Sequence, residues 1–282
     1  MQLLAPAKIN LSFRILGRRG DGFHEIETLM APISLSDRLT YRRANDGSGV
    51  TLRCDDPALP TGRENLVVRA AELLLQTAGA ENRGVEIELE KHIPHGAGLG
   101  GGSSDAATTL LGLNELLDLG VPRSRLLELA AELGSDVPFF LLQSAATGRG
   151  KGEIVSPEKM SPQFSLLLLK PEFPVPTPAA YARWAASREL PDFRYAAQTV
   201  SGIEFCNDLE RPVFEKYVFL GHLKNWLLAQ PEVEGALLSG SGSTVFSVLK
   251  AGADGEALGE RARAELDPKL WSCVASTNGG AR

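Results

Sequence analysis

Polar and apolar residues alternate along GVEIELE (84–90): Val85, Ile87 and Leu89 take one side, Glu86, Glu88 and Glu90 the other. A period of two predicts a half-buried strand. Before it, Leu66, Ala70, Leu73 and Leu74 recur at helical spacing, with Asn65 ahead of them and Gly79 behind. That pattern predicts a helix with Asn65 as its N-cap. The helical period returns from Ser103, where Ala106, Leu110, Leu113 and Leu117 share a face and Gly120 ends the run. A further helix is predicted over 124–133, with Leu126, Leu129, Ala130 and Leu133 on one side and Gly134 closing it. At the start of the chain, residues 9–16 read as a strand followed by a GRRGDG turn at 17–22.

The stretch SPEKMSPQF (156–164) is polar and holds two prolines, and it suggests a division of the chain into 1–158 and 159–282. Beyond it, SLLLLK (165–170) reads as a buried strand. Thr177 followed by Pro178 reads as an N-cap and first helical residue, opening a helix through Tyr181 and Trp184. Two strand-like segments flank SGSGS (239–243). A helix rich in Ala, Glu and Arg (about 253–265) and a last strand, LWSCVAS (270–276), follow. Strands and helices mix without a regular βαβ alternation, which favours the α+β class.

The chain has 282 residues, enough for two domains. Its net charge of −6 argues against a nucleic-acid partner. Cys54, Cys206 and Cys273 lie far apart and make neither a CxxC nor an even set, which points to a reducing compartment and no zinc site. The segment MQLLAPAKINLSFRILG lacks a basic start before an apolar core, and Lys8 interrupts it, so it does not read as a signal peptide. No uncharged run reaches the roughly 18 residues that span a bilayer. The expectation is a cytoplasmic protein without a membrane partner.

Chemistry concentrates where five glycines (Gly96, Gly98, Gly100, Gly101, Gly102) precede Ser103 and Ser104, between a strand and a helix. Glycine allows positive φ and close backbone approach. A helix start offers unpaired N–H groups and a partial positive charge, so the pair makes an anion cradle whose usual guest is phosphate. The bland alternative is a loop with Ser103 or Ser104 as an N-cap. A GxGxxG spacing is formally present at 96–101, but the second strand that a dinucleotide site needs is replaced by helical LLELAAEL. A GxxxxGK[ST] loop is absent; GRGKGE (148–153) has its Lys but no following Ser or Thr. The residues alone thus indicate a nucleotide-phosphate site of neither common type.

PHGAGLGGGSSDAA closely resembles the phosphate-binding motif of the GHMP kinases, and two further motifs of that family follow its order, PAKINL at 6–11 and SGSGSTVF at 239–246. GDGFHEIET (20–28) and GSDVPFFL (134–141) resemble one branch, whose acceptor carries a cytidine diphosphate head. The likeness runs over nearly the whole chain, clearest through residue 141 and thinner between 180 and 235. It implies a two-domain α+β fold, with a ribosomal-protein-S5-like ATP-binding domain over 1–158 and a ferredoxin-like domain over 159–282. It also implies a small-molecule kinase of the non-mevalonate isoprenoid route, using ATP as phosphoryl donor.

The resemblance places Asp136 as the catalytic aspartate and Lys8 as its paired lysine, with Asn10 near the acceptor. Phosphoryl transfer to an alcohol needs positioning, charge stabilisation and a group to take the hydroxyl proton. By themselves, an Asp between Gly-Ser and Val-Pro reads as a cap or turn residue, and a strand-opening Lys as solvent-facing. For the acceptor, the resemblance suggests cytosine stacked between Phe23 and Tyr181, with His24 reading its edge. Relatives often carry Tyr where this chain has Phe23, which keeps a stacking face and loses a hydroxyl. For ATP it implies Asn65, Lys91, Pro94 and the loop Gly96, Ala97, Gly98, Leu99, Gly100, Gly101, Gly102, Ser103 and Ser104. Mg²⁺ is expected to arrive as Mg-ATP, with no protein metal ligand assignable beyond the two serine hydroxyls. A monomer or weak homodimer is expected. Competing readings are another GHMP kinase acting on homoserine or mevalonate, a related diphosphomevalonate decarboxylase, and a non-catalytic sensor, which would need neither Lys8 nor Asp136.

Overall fold

A computed structural model describes residues 1–277. The chain opens with β1 (Gln2–Arg18) and β2 (His24–Arg43), a long antiparallel hairpin with register shifts between Pro6 and Lys8, Asn10 and Ser12, and Ile15 and Gly17. Then come β3 (Val50–Cys54), α1 (Leu66–Thr77), β4 (Val85–Glu90), α2 (Gly101–Leu116), α3 (Arg123–Leu133), α4 (Val137–Leu142), β5 (Ala146–Gly150) and β6 (Ile154–Pro157). The remainder is β7 (Ser165–Lys170), α5 (Thr177–Trp184), β8 (Gln198–Val200), β9 (Ile203–Asn207), α6 (Glu210–Lys216), α7 (Val218–Leu228), β10 (Val233–Leu238), β11 (Val245–Leu249), α8 (Gly255–Glu265) and β12 (Trp271–Ser276).

Two sheets result. One runs β3-β4-β2-β1-β9-β8, with β5 attached to β2 and β6 to β5, and the other runs β10-β11-β7-β12. The mixture is α+β, as the irregular alternation of elements indicates. The second sheet lies wholly beyond residue 159, but β9 from that half pairs in parallel with β1, Phe13 opposite Asn207. The two halves are therefore stitched through the first sheet rather than merely abutted.

The expected helices and strands are present, with shifted ends. β4 keeps its alternation, with Val85, Ile87 and Leu89 buried under α1 and α2. α2 starts at Gly101, two residues before Ser103, because glycine backbone enters the helix directly from the cradle. α5 starts at Thr177, so its N-cap is Pro176 and not Thr177. The Thr177 hydroxyl instead meets Ser241 Oγ at 2.7 Å. The expected strand at 9–16 is only the middle of β1, and β2 has no counterpart in the sequence reading. The polar Ser34, Ser36 and Asp37 interrupt its apolar pattern, yet Asp37 is fully buried.

Candidate active site

A cavity of about 480 Å³ opens between the glycine loop, the start of β1, α4 and α5. Lys8 stands at its centre. Its backbone N–H donates to Leu99 O (2.9 Å), which ties β1 to the loop. Its buried ammonium donates to Asn10 Oδ1 (2.6 Å) and Gly98 O (3.1 Å) and pairs with Asp136 Oδ2 at 3.7 Å. Burial pulls this ammonium below the usual lysine value, against the opposing pull of Asp136. Asn10 is oriented in turn, since its Nδ2 donates to Thr28 Oγ1 (2.8 Å), whose hydroxyl donates to Ser12 O (2.7 Å). Lys8 and Asn10 share a strand face, as their spacing implies. Asp136 occupies the N-cap position of α4, but its side chain caps nothing and is 41% exposed. A carboxylate not spent on a cap is available to a substrate.

The loop is shaped by backbone. Gly98 has φ +76°, and a Cβ there would stand 2.2 Å from Ser239 O. Gly100 has φ +72°, and its Cβ would meet Phe140 Cζ at 2.8 Å. Neither position admits another residue without displacing its neighbours. Gly100 caps α2 without a side chain, so the first-turn N–H groups remain open to an anion. Gly96, Ala97, Leu99, Gly101, Gly102 and Ser103 line the cavity with Pro94. Ser104 does not; its hydroxyl is fully buried and without a partner. Asn65 caps α1 through Val67 N (2.9 Å), as expected, and it also lines the cavity.

Lys91 also lines the cavity, held from behind. Its ammonium pairs with Asp37 and, at 2.8 Å, with Asp105 Oδ2. Asp37 Oδ1 also accepts from His92 N (2.6 Å) and Ile93 N (2.8 Å), fixing the chain as it enters the loop. Burial lowers the Lys91 value, but Asp105 and Asp37 outweigh it and hold the ammonium above the usual lysine range. Asp105 is pushed up to about 7, chiefly by burial, and its Oδ1 has no partner. Neither aspartate was singled out from sequence, because a buried carboxylate inside an apolar strand or helix has no local signature.

The end of the cavity beside α5, where the resemblance expects the acceptor, is built from side chains. Tyr181 lines the cavity and stacks on His24 at a centroid distance of 5.1 Å, with Trp184 edge-on to His24 at 5.8 Å. Burial raises the Tyr181 phenol above its usual value, and the Asp136 charge adds to this. Phe23 stands apart from that pair. It is 55% exposed, with Lys151 Nζ 4.6 Å from its ring centroid. The structure thus brings His24 and Tyr181 together directly and leaves the slot between Phe23 and Tyr181 unformed. Lys151, the lysine of GRGKGE, lines the cavity too, as do Thr177, Gly240 and Ser241. Only the paired glycines around Lys151 and the small residues of SGSGS hinted at these.

Residues 65–144 match the GHMP kinases N terminal domain. The 4-diphosphocytidyl-2-C-methyl-D-erythritol kinase of Syntrophotalea carbinolica is 40% identical, with 91% of this chain and 92% of that protein covered. A crystal structure of 4-(cytidine 5'-diphospho)-2C-methyl-D-erythritol kinase superposes with a TM-score of 0.79 at 39% identity, covering 99% of this chain and all of that one. The homoserine kinase of Cytophaga hutchinsonii, at 20% identity and a TM-score of 0.74 over 99% of this chain and 94% of that one, shares the fold. The chain belongs to the 4-diphosphocytidyl-2-C-methyl-D-erythritol kinases, a branch of the GHMP kinases.

Proposed function

We propose that the protein transfers the γ-phosphoryl group of ATP to the 2-hydroxyl of 4-diphosphocytidyl-2-C-methyl-D-erythritol, giving the 2-phosphate and ADP. The observation that carries this reading is the Lys8–Asp136 pair, lining one cavity with an open glycine cradle and with Tyr181, on whose ring His24 stacks. Asp136 takes the proton of the acceptor hydroxyl as its oxygen attacks the γ-phosphorus. The bond from that phosphorus to the β–γ bridging oxygen breaks, and ADP leaves with the electron pair. Lys8 offsets charge on the transferring group, and the cradle N–H groups hold the phosphates. The buried position of Lys8, fixed by Asn10 and Gly98, makes that charge stabilisation preorganised.

The domains divide at 158/159 in this reading, the first supplying the ATP cradle and the second supplying Tyr181 and the SGSGS loop. Mg²⁺ fits as an ion bound chiefly by ATP. Among the described residues no cluster of three His, Cys, Asp or Glu side chains is placed to hold a metal. The Ser104 hydroxyl is buried and does not line the cavity, and Ser103 at the cavity wall is the serine oxygen that would reach the ion. When bound it would neutralise charge on the β- and γ-phosphate oxygens. Cytosine would stack between Phe23 and Tyr181 with His24 at its edge, which requires His24 to leave the Tyr181 face and Phe23 to turn inward. The site is complete within one chain, so a monomer or weak homodimer suffices. Three free cysteines suit a reducing cytoplasm.

The test is incubation of the purified protein with Mg-ATP and the cytidyl acceptor, with the product phosphate located by phosphorus NMR. A new phosphomonoester on the 2-oxygen supports the reading. A product phosphorylated elsewhere, or none, overturns it.

A further inference from the structure

The SGSGS loop leans on the cradle at the point where Lys8 is held. Ser239 Oγ donates to Gly98 O (3.0 Å), the same carbonyl that accepts from Lys8 Nζ. Thr244 N donates to Ala97 O (3.1 Å). A Cβ on Gly240 would stand 3.3 Å from Asn10 Oδ1 and 3.4 Å from Lys8 Nζ. The position of this loop therefore sets the position of Gly98 and the space around Lys8.

The loop's serines tie it outward, Ser239 to Gly98 O, Ser241 to Thr177 and Ser243 to Phe173 O, and its backbone carbonyls on either side of Ser239 are held from behind. Asn207, at the end of β9, is 6% exposed and spends all of its amide. Its Nδ2 donates to Leu238 O and to Gly240 O, both at 2.8 Å, on the two sides of Ser239. Its Oδ1 accepts from Leu209 N (2.9 Å). The same Leu238 gives its N–H to Glu210 Oε1 (3.1 Å), and Glu210 is anchored by Lys224 at 2.6 Å. Asn207 also sits opposite Phe13 in the parallel pairing of β9 with β1, the strand that carries Lys8.

We propose that Asn207 is a positioning residue for phosphoryl transfer: it clamps the loop at Ser239 from both sides and so fixes Gly98 and, through it, the Lys8 ammonium. The inference rests on the kinase reading above. Asn207 touches neither substrate nor the reacting atoms in this account. Its effect falls chiefly on the chemical step, because the clamp acts on the loop where it meets Gly98 and Lys8, while the loop touches α5 through Ser241 and Thr177 at the first residue of the helix, one turn before Tyr181.

Gln198 provides an internal control. It is a second amide clamp on the neighbouring strand β8, with Nε2 donating to Ala236 O (2.7 Å) and Oε1 accepting from Ala236 N (3.0 Å), and it does not line the cavity. The experiment compares kcat, both KM values and Tm for wild type, Asn207→Ala, Asn207→Asp, Ser239→Ala and Gln198→Ala. Asn207→Asp keeps the shape and the acceptor for Leu209 N but loses both donors, so it serves if the alanine variant does not fold. Ser239→Ala cuts the loop from Gly98 without touching the clamp.

The expected result is a fall in kcat of about tenfold or more in each Asn207 variant, since small misplacements near the reacting atoms are costly. The acceptor KM should change less than about threefold, because neither Tyr181 nor His24 is hydrogen-bonded to Asn207 or Ser239. Ser239→Ala should reproduce the loss, and Gln198→Ala should lower Tm and leave kcat intact. The basic limb of the kcat profile should move to higher pH in Asn207→Ala, because water reaching Lys8 relieves the burial that lowers its value. An unchanged kcat in either Asn207 variant or in Ser239→Ala, or an equal loss in Gln198→Ala, overturns the proposal. A wild type inactive on the cytidyl acceptor would instead bring down the kinase reading itself.

Discussion

The two ends of the cavity are made differently. The donor end is backbone: glycines wedged against Ser239 and Phe140, an uncapped helix start, and a lysine locked between Asp37 and Asp105. It is shaped before any ligand arrives. The acceptor end is side chain: His24 and Tyr181 cover one another's faces and Phe23 lies exposed under Lys151. On the proposed reading it rearranges to receive a base. A phosphate cradle serves many acceptors, so its cost is met once in the fold, while the selective end stays adaptable.

The sharpest break in the comparison is at the junction of the two ends. Asp136→Asn should lower kcat by about a hundred- to ten-thousandfold, the range for a lost general base. Both KM values should stay within a few-fold, as read from steady-state ADP release. Gly98→Ala tests the claim that the donor end is preformed. Forcing a side chain to φ +76° costs about 1–3 kcal/mol, before the 2.2 Å approach to Ser239 O is counted. A lower Tm and weaker ATP binding by calorimetry should follow, and an unaltered ATP affinity would mean the cradle is not set by this backbone.

Tyr181→Ala should spare ATP and raise the acceptor KM about tenfold or more, since stacking on a base contributes about 1–3 kcal/mol. Asp105 sharpens the donor end through pH. Its folded value of about 7 lies above the ordinary 3.8, so its proton favours the folded state below the lower value. That contribution falls as pH rises through about 7 and is flat above it. Asp105→Asn should flatten the fall in Tm across this window, measured by scanning calorimetry. The smallest effect belongs to Phe23→Ala, which loses an exposed cation–π contact of about 0.5–1 kcal/mol plus its share of stacking. A loss larger than that of Tyr181→Ala would show that Phe23, not Tyr181, is the main face for the base.

Legibility in the sequence follows the same divide. The cradle, the Asn65 cap and the alternation of β4 are local in sequence, and each is where its pattern places it. Lys8 and Asp136 have no local mark beyond their motifs, and only β1 and α4 converging on the loop brings them to 3.7 Å. β2 escaped notice because Asp37 breaks its apolar run. That carboxylate is tolerated inside the core because Lys91 and two backbone N–H groups surround it. Asn207 was equally silent, since an amide that holds carbonyls 31 and 33 residues away leaves no spacing to read. Phe23, His24 and Tyr181 are marked by resemblance alone, and their arrangement departs from the expected slot, with His24 stacked on Tyr181 and Phe23 turned to the surface beside Lys151.

The most direct measurement is kcat/KM for ADP release with Mg-ATP and four acceptors in parallel: the cytidyl substrate, homoserine, mevalonate and galactose. The account predicts turnover with the cytidyl substrate alone. Comparable turnover with any of the other three would keep the donor cradle and contradict the assignment of the acceptor end.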